Sequence, residues 1–567
     1  MRTSHRNLLC SVVSSAALAT FAGPAAWAQQ RVPQQAPVER EFEFPEVESE
    51  GPALIPLPPP PAPEPGLLAP GLLVEVREFR ITGNTVFSAA ELAAVVAPYT
   101  GRQITSQELQ EARRALTSHY TDRGYVNSGA IIPDQDVGAG VIELRVVEGH
   151  LTDLEIEGNR WFRTDYLERR LLISADEPLQ IDRLERLLKR LQNNQRIRRV
   201  NAELAPGGIP GEAILRVLVE EELPFALDVE LSNHESPAIG EVSERIHLAH
   251  ENLSGRSDVL EATYGISEGL NDLDARYELP FTSWDTRLEL HYWLTSSEVT
   301  EAPFGSLDIK SRSETAGIGI SQPFYEVAGG ELRAGVTGEW RRSRSRLLGS
   351  GFDFPGTGAD DDGESRESVL RIHQQWVRRG RSQVFAVRSS VSVGLDILNA
   401  TRNSGGLPDG QFVSWLAQLR WAQRFDALFG TEFVFRTDLQ LSSDPLMPLE
   451  QFPIGGHASV RAYRETETAM DQGVAGSLEA RIPLVRTASG HVLHLAPFFD
   501  AGRGWNRSRP DFLPRTLISA GVGLRYGFGD WLRAEFYWGE QLKDLPVPPD
   551  RAIQDRGIYF RLSAALL

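Results

Sequence analysis

Hydrophobic and polar residues alternate one by one over much of the C-terminal three-fifths of the chain. Between residues 431 and 442 the two faces are easily separated: Phe433, Phe435, Thr437, Leu439 and Leu441 share one, and Val434, Arg436, Asp438 and Gln440 share the other. Residues 474–484 and 531–538 follow the same alternation. Successive side chains of a strand point to opposite faces, so these stretches predict strands with an apolar face and a polar, charged face.

Sixteen such stretches run from about Phe225 to the C-terminus. The 346 residues from 222 to 567 allow about 22 for each strand with its connection, more than the ~9 to 11 that cross a membrane at a tilt. The number is even, as in single-chain bacterial barrels. A soluble β-sandwich explains one such hairpin equally well, but sixteen in series poorly. The pattern predicts a mainly β protein with a sixteen-stranded antiparallel transmembrane β-barrel over residues 223–567.

Residues 73–222 show a different pattern, in which short strands and amphipathic helices occur twice in the same order. Gly83-Asn84 and Gly158-Asn159 are 75 residues apart, and the predicted helix caps Thr105 and Asp182 are 77 apart. We therefore expect one β-α-α-β-β unit used twice, over residues 73–149 and 150–222. In the first copy strands are predicted near 127–132 and 140–147; in the second, helices near 166–172 and from 182 onward, and strands near 198–204 and 213–220.

The N-terminus has the pattern of a secretory signal. Arg2 and Arg6 precede an apolar stretch, and a small-residue cleavage site ends at Ala28, so residues 1–28 are predicted to be removed. A lipoprotein signal at Cys10 would leave too short an apolar stretch before the cysteine. Residues 29–72 are rich in proline and glutamate and predict an extended periplasmic linker or tether. After the signal, no apolar run is long enough for a membrane-spanning helix.

Composition narrows the function classes. The formal charge of −19 argues against nucleic acid as a partner. Cys10 is the single cysteine, so no disulfide framework is expected. No nucleophile elbow, zincin motif or nucleotide-binding loop occurs in a fitting context, so we expect no enzyme, no cofactor and no metal site. The acidic run 360–364 lacks the spacing of a calcium loop and is interpreted as a solvated extracellular loop.

Several motifs resemble the TpsB transporters of two-partner secretion, the haemolysin-activator and filamentous-haemagglutinin-exporter type. In that family two periplasmic POTRA domains precede a sixteen-stranded outer-membrane barrel, which here implies POTRA domains at 73–149 and 150–222. The residues that carry this part of the resemblance are Gly83, Asn84, Gly124, Tyr125, Pro133, Gln135, Glu148 and Gly149 in the first repeat and Gly158, Asn159, Pro206 and Gly207 in the second.

Two further motifs lie in the barrel region. Gly455-Gly456 followed by Val460-Arg461-Ala462-Tyr463 resembles the family's extracellular loop that folds back into the lumen, and Phe498-x-Asp500-x-Gly502 resembles its inner-wall motif. The resemblance implies that Arg461 pairs with Asp500. Alternation independently places Asp500 on the lumen face with Phe498 and Gly502, although from alternation alone Asp500 is one lumen charge among many.

The sequence also departs from the family pattern. Ala462 stands where the family has glycine, Leu567 stands where the last residue is usually aromatic, and prolines interrupt the segment where the family has an N-terminal plug helix.

Three functions are compatible with a barrel of this kind. The resemblance favours a monomeric outer-membrane transporter that captures an unfolded exoprotein, β-helical and adhesin- or haemolysin-like, through periplasmic POTRA domains and secretes it without ATP. Its other partners would be outer-membrane lipid and, during biogenesis, the barrel-assembly machinery. The alternative is a barrel-assembly factor of the same superfamily, which the presence of only two repeats disfavours. A passive porin does not explain the repeats.

Overall fold

The structure, a computed structural model, describes residues 73–171, 178–192, 194, 196–282, 284–327, 329–545 and 552–567. The predicted signal peptide and linker, and the segment where a plug helix would lie, fall outside the described residues. The described chain forms two compact units, one of residues 73–224 with 254–257 and the other of residues 225–253 with 258–567.

The first unit contains both predicted repeats. The first repeat consists of β1 (Leu73–Val76), β2 (Glu78–Thr82), α1 (Ala89–Val96), β3 (Arg102–Thr105), α2 (Ser106–Thr121), β4 (Gly129–Ile131) and β5 (Val141–Val147). The second consists of β6 (His150–Glu157), α3 (Thr164–Leu171), α4 (Ile181–Gln192), β7 (Ile197–Pro206) and β8 (Glu212–Glu221).

Each repeat has a three-stranded sheet of the same topology. The strand orders are β2-β5-β4 and β6-β8-β7, with the first pair parallel and the second antiparallel in each. The first repeat also has a small antiparallel sheet of β1 and β3, which the β-α-α-β-β pattern did not predict. These two strands have only four residues each, too few for alternation to identify.

Apolar residues at helical spacing bury one face of each helix. In α2 these are Leu109, Ala112, Leu116 and Tyr120. The helix begins with a capping box, in which the Thr105 side chain accepts from the Glu108 backbone N–H and the Glu108 carboxylate accepts from the Thr105 backbone N–H. In each sheet the central strand alternates buried residues with partly or fully exposed ones, so the helices cover one face of the sheet.

The second unit is a closed antiparallel barrel of sixteen long strands, which confirms the predicted fold class. The strands are β9 (Phe225–Ser232), β10 (Ser243–His250), β11 (Val259–Ile266), β12 (Leu270–Pro280), β13 (Arg287–Glu298), β14 (Lys310–Val327), β15 (Gly330–Leu347), β17 (Glu364–Arg379), β18 (Gln383–Leu395), β19 (Val413–Phe425), β20 (Thr431–Ser442), β23 (Gln472–Arg486), β24 (His491–Trp505), β25 (Thr516–Phe528), β26 (Leu532–Gln541) and β27 (Ile558–Ala565). Strand β27 pairs with β9 and closes the barrel.

Short elements occur in the connections. Strand β16 (Ser350–Gly351) pairs antiparallel with the end of β15, and β21 (Phe452–Ile454) pairs with β22 (Thr468–Met470). Among the described residues, 3₁₀ helices are formed by Ala97–Tyr99, Pro237–Ile239, Phe304–Leu307, Asp426–Leu428, Pro448–Glu450 and Gln554–Arg556.

The two faces of the barrel wall differ as alternation predicts. On β23, Val474 and Leu478 are exposed on the outside, while Ala475, Ser477 and Glu479 are buried toward the inside. An apolar outer surface around a polar interior is the arrangement of a transmembrane barrel. Among the described helices, none has the length and apolar character needed to cross a membrane.

Candidate functional site

The connection between β20 and β23, residues 443–471, lies against the inner wall and is called the lumen loop. Its β21–β22 hairpin leads to a buried tip, Val460–Tyr463. Before the tip, Gly456 has a φ of +91°, and a Cβ there would lie 2.0 Å from a carboxylate oxygen of Glu465. Gly455 also has a positive φ. The Gly-Gly pair therefore allows the sharp turn that sends the chain along the wall.

Arg461 and Asp500 form a fork. The Arg461 side chain donates from Nε to Oδ2 of Asp500 at 2.8 Å and from Nη2 to Oδ1 at 2.9 Å. The backbone N–H of Arg461 also donates to Oδ2, at 3.0 Å. Both side chains are at most 1% exposed. The structure thus brings together the two residues that the motif resemblance relates, with bidentate geometry that suits guanidinium and carboxylate.

Four other wall residues complete the pocket around the Arg461 guanidinium. It donates to Glu479 at 2.5 Å and to Ser477 at 3.0 Å. Its central carbon lies 3.7 Å from the ring centroid of Phe498 and 4.9 Å from that of Tyr537. The motifs did not identify Glu479, Ser477 or Tyr537. Alternation was the available signal, since it places Ser477 and Glu479 on the inner face.

The other motif residues fit the tip to the wall. Ala462 has a φ of +73°, a conformation in which glycine is less strained. The Tyr463 hydroxyl lies 2.9 Å from the carbonyl oxygens of Ile518 and Lys543. A Cβ on Gly502 would lie 2.5 Å from Ile454 and 2.9 Å from Val460. The wall therefore needs glycine at 502 to admit the loop.

A second contact holds the start of the lumen loop, and the sequence did not predict it. The Glu450 carboxylate accepts from Arg371 at 2.5 Å and lies 2.8 Å from Arg341. Both arginines also pair with Glu339. After the tip, Arg464 forms a fork with Asp555 at 2.5 and 2.7 Å. The lumen loop is thus anchored by charged pairs before, at and after its tip.

The Gly-Asn pairs of the two repeats occupy equivalent turns between the first sheet strand and the helix that follows it. Gly83 and Gly158 have φ values of +81° and +86°. The Asn84 side chain donates to the Phe87 carbonyl, and that of Asn159 to the Phe162 carbonyl, both at 2.9 Å.

A carboxylate from the last strand region of each repeat accepts hydrogen bonds from the same turn. Glu148 accepts from the backbone N–H groups of Thr85 and Val86 at 2.7 and 2.9 Å. Glu221 accepts from those of Trp161 and Phe162 at 2.7 and 2.9 Å. The sequence motifs did not identify Glu221; the equal order of elements in the two repeats was the available signal, since Glu148 directly follows the last strand of its repeat and Glu221 ends the last strand of the other.

Glu148 also accepts from the buried Tyr120 hydroxyl at 2.9 Å. Burial alone would raise the pKa of Glu148, but the hydrogen bonds from Thr85, Val86 and Tyr120 lower that pKa below its ordinary value. Burial, with the adjacent Glu148 carboxylate, raises the pKa of Tyr120. These motif residues therefore stabilise the repeat itself.

The next motif residues lie near the boundary between the repeats. The Gly124 and Gly149 carbonyls accept from the backbone N–H groups of Ile181 and Leu179, at 2.8 and 2.6 Å. Tyr125 packs edge-to-face on Phe87. The two backbone hydrogen bonds connect the first repeat to the second, and the ring contact lies within the first repeat.

The remaining motif residues lie at strand edges. Gln135 donates to the Glu143 carbonyl at 2.9 Å and accepts from the Glu143 N–H at 2.6 Å, so its side chain continues β4 along β5. It also donates to the Pro133 carbonyl at 3.2 Å. Pro206 ends β7, and the Gly207 N–H donates to Glu212 at 3.0 Å in the turn to β8.

Comparison with known proteins agrees with this architecture. The family model described as "Haemolysin secretion/activation protein ShlB/FhaC/HecB" matches residues 211–526, more than half of the chain. This protein belongs to the ShlB/FhaC/HecB family. The ShlB-type POTRA domain model matches residues 74–149, the first repeat.

Individual relatives are distant but cover most of the chain. The outer membrane transporter CdiB of Dickeya dadantii (strain 3937) is 24% identical over 470 residues, 79% of each chain. The heme/hemopexin transporter protein HuxB of Haemophilus influenzae (strain ATCC 51907 / DSM 11121 / KW20 / Rd) is 22% identical over 455 residues, 76% of this chain and 77% of HuxB.

Solved structures share the fold. CdiB from Escherichia coli has a TM-score of 0.62 at 20% identity, over 90% of this chain and 93% of that one. BamA from Haemophilus ducreyi lacking POTRA domains 1–3 has a TM-score of 0.54 at 14% identity, over 87% and 100%. The protein is an outer-membrane β-barrel of a transporter family with a general role in secretion, and its POTRA region is periplasmic.

Proposed function

We propose that this transporter captures an unfolded exoprotein in the periplasm through its two POTRA-type repeats and passes it through the barrel to the cell surface without ATP. The observation that carries the proposal is the lumen loop. It is held inside a polar barrel by exchangeable charged pairs, at Glu450, Arg461 and Arg464. Water and polar wall residues can replace such contacts when the loop moves aside and an extended chain enters.

The inner wall suits an extended polypeptide. Serines, glutamines and charged residues face the interior of the barrel, as Ser392, Gln418 and Gln440 do on successive strands. An unfolded chain exposes peptide groups that need hydrogen-bond partners throughout its passage. A lumen of this composition supplies such partners without a fixed sequence preference.

The second repeat offers an edge strand for capture. Strand β7 lies at the edge of the sheet β6-β8-β7. The Gln192 side chain accepts from the Val200 N–H at 2.8 Å and donates to the Arg198 carbonyl at 3.1 Å, so these two peptide groups point away from β8. By alternation, the peptide groups of Ala202 and Leu204 point outward too. A client segment that adds here gains about 0.5–1.5 kcal/mol per hydrogen bond, largely independent of its sequence.

Folding of the client outside the cell supplies the direction of transport. A folded exoprotein cannot return through a bore that admits an extended chain, so folding makes the reverse step unfavourable. This mechanism uses the free energy of client folding in place of nucleotide hydrolysis. The client is identified by deleting this gene and finding which surface protein disappears.

Deleting residues 75–222 tests the capture step. We expect the exoprotein to remain in the periplasm while the barrel still inserts, as judged by its heat-modifiable migration and its presence in the outer membrane. The milder variant Ala202→Pro removes one outward N–H from β7, and we expect it to reduce secretion in part. Normal secretion by the deletion variant, with the barrel inserted, would disprove capture by the repeats.

A further inference from the structure

Arg436 lies on the inner wall beside the Arg461 site and has no assigned role. It is on β20, on the same face as Asp438 and Gln440. Within the described part of the chain, Arg436 makes neither a hydrogen bond nor an ion pair within 4 Å; its interactions are electrostatic ones with charges farther away. Its nearest acidic neighbour along the strand, Asp438, is already held by Arg420 at 2.5 and 2.9 Å.

Strand register places Arg436 in line with Asp500. Arg436 is the lateral partner of Ser477 on β23, and Ser477 is the lateral partner of Asp500 on β24. Arg436 and Asp500 are therefore two strands apart, about 10 Å between Cα atoms, and on the same face. We call Arg436, Ser477 and Asp500, which lie side by side on β20, β23 and β24, the row. At this separation an extended Arg436 side chain that points along the row can reach the Asp500 carboxylate.

Arg461 now occupies the space between them. Its Nη2 donates both to Ser477 at 3.0 Å and to Asp500 at 2.9 Å, so the guanidinium of the loop lies over the middle of the row. Arg436 is repelled by Arg461 and by Arg420, its lateral partner on β19, and is attracted by Glu479 and Asp500. Glu479 is within reach as well, since it is a diagonal neighbour of Arg436 across β20 and β23.

Withdrawal of the loop would leave Asp500 in a costly state. All hydrogen bonds that its carboxylate accepts from described residues come from Arg461. Asp500 is fully buried, and a buried carboxylate that loses its partner is strongly destabilising. A barrel that releases its lumen loop therefore needs another cation at this place on the wall.

We propose that Arg436 is a substitute cation, which turns along the row to pair with Asp500 and Glu479 when Arg461 leaves the wall. In the closed state Arg436 makes no hydrogen bond or ion pair with a described residue, because Arg461 holds Asp500 and, together with Arg481 and Tyr537, also holds Glu479. In the open state Arg436 neutralises Asp500 and adds to the cations around Glu479, which lowers the cost of releasing the loop. This role does not require that the exported client enters through the repeats.

A double-mutant cycle on the full-length protein in detergent tests the exchange. The four proteins are the native chain, Arg436→Gln, Arg461→Gln and the double variant, and the measurement is the midpoint temperature of barrel unfolding. We expect Arg436→Gln alone to lower the midpoint temperature by less than about 2 °C. The double variant should lose more than the two single variants together, so that its midpoint lies about 3 °C or more below the value that adding the two single losses gives. Shifts that add within about 1 °C would overturn the proposal.

A charge-preserving variant provides the matched control. Arg436→Lys in the Arg461→Gln background keeps the cation, so its midpoint should stay close to that of Arg461→Gln alone; a fall as large as that of the double variant would contradict the exchange. If the double variant fails to insert, adding Asp500→Asn removes the carboxylate that lacks a partner. We then expect insertion to return, and continued failure would also overturn the proposal.

Discussion

At the scale of single residues, the Arg461–Asp500 fork predicts a charge-swap experiment. Asp500→Arg places a second guanidinium against Arg461 in a buried site, where loss of a paired charge costs about 3–5 kcal/mol. We expect secretion of the exoprotein to fall at least about tenfold. Adding Arg461→Asp restores opposite charges and should recover part of the secretion.

The swap should recover only part because of Glu479. That carboxylate now accepts from Arg461 at 2.5 Å, and it would repel an aspartate at position 461. Adding Glu479→Gln should therefore raise secretion by the swapped protein. Equal secretion by the single Asp500→Arg variant and the swapped pair would show that the two residues do not act as a pair.

Residues of this site differ in how far the sequence reveals them. Glu479 follows from alternation, because a strand places every second side chain on the same face. Glu450 lies 79 residues from Arg371, its partner. No periodicity links residues that far apart, so only the fold of the lumen loop brings these two together.

At the scale of elements, the turn held by Glu148 predicts a pH-dependent stability of the first repeat. The folded pKa of Glu148 is lowered, so its contribution is fully present above its unfolded pKa of about 4.3 and is lost as pH falls through the folded pKa. We expect Glu148→Gln to weaken protection of the Thr85 and Val86 amides at pH 7, at a cost of about 1–3 kcal/mol, and the difference from the native chain to shrink as pH falls below about 4.

Hydrogen exchange on the full-length protein measures this difference, with peptides that cover residues 83–92. Glu221→Gln is the matched variant, since Glu221 holds the equivalent turn of the second repeat. It should leave residues 83–92 unchanged and expose residues 158–165 instead. A Glu148→Gln effect of the same size at pH 3 and pH 7 would contradict the role of the ionised carboxylate.

Sequence patterns predict some of these elements and contacts but not others. Helical spacing predicted α2 because sixteen residues give four turns of apolar contacts on one side. The regular offset between the repeats predicted the second sheet, because two segments with the same order of strands and helices are expected to adopt the same fold. The Gln135 and Gln192 side chains hydrogen-bond to the backbone at the edge of a strand, and no sequence pattern predicts this. Most glutamines lie on exposed surfaces without such a role, so the residue type alone does not identify them.

At the scale of the whole molecule, sixteen alternating stretches predicted a barrel because a sheet with an apolar outer face and polar inner face has no other way to satisfy all its edges in lipid. The placement of a 29-residue connection inside that barrel does not follow from alternation. The placement of the loop depends on how the loop and the wall fit each other. Position 502 of the wall must be glycine, because a side chain there would collide with Ile454 and Val460 of the loop.

That contact allows the loop to be locked in place. Because a Cβ on Gly502 would lie 2.5 Å from Cγ2 of Ile454, cysteines at 454 and 502 would have Cβ atoms within about 4 Å, a suitable separation for a disulfide. If export requires the lumen loop to leave the wall, Ile454→Cys with Gly502→Cys should secrete when reduced and stop when oxidised. The native chain has Cys10 alone, in the predicted signal, so no other thiol competes.

A disulfide elsewhere on the wall separates locking from oxidation itself. A Cβ on Gly319 would lie 3.5 Å from Cβ of Thr337, on neighbouring strands β14 and β15 that contain no part of the loop. The pair Gly319→Cys with Thr337→Cys joins strands that are already hydrogen-bonded, so oxidation should leave its secretion unchanged. Secretion by the oxidised 454–502 variant at its reduced level would mean that the client passes beside a loop that stays on the wall, and the exchange of charges at Asp500 would then not occur during export.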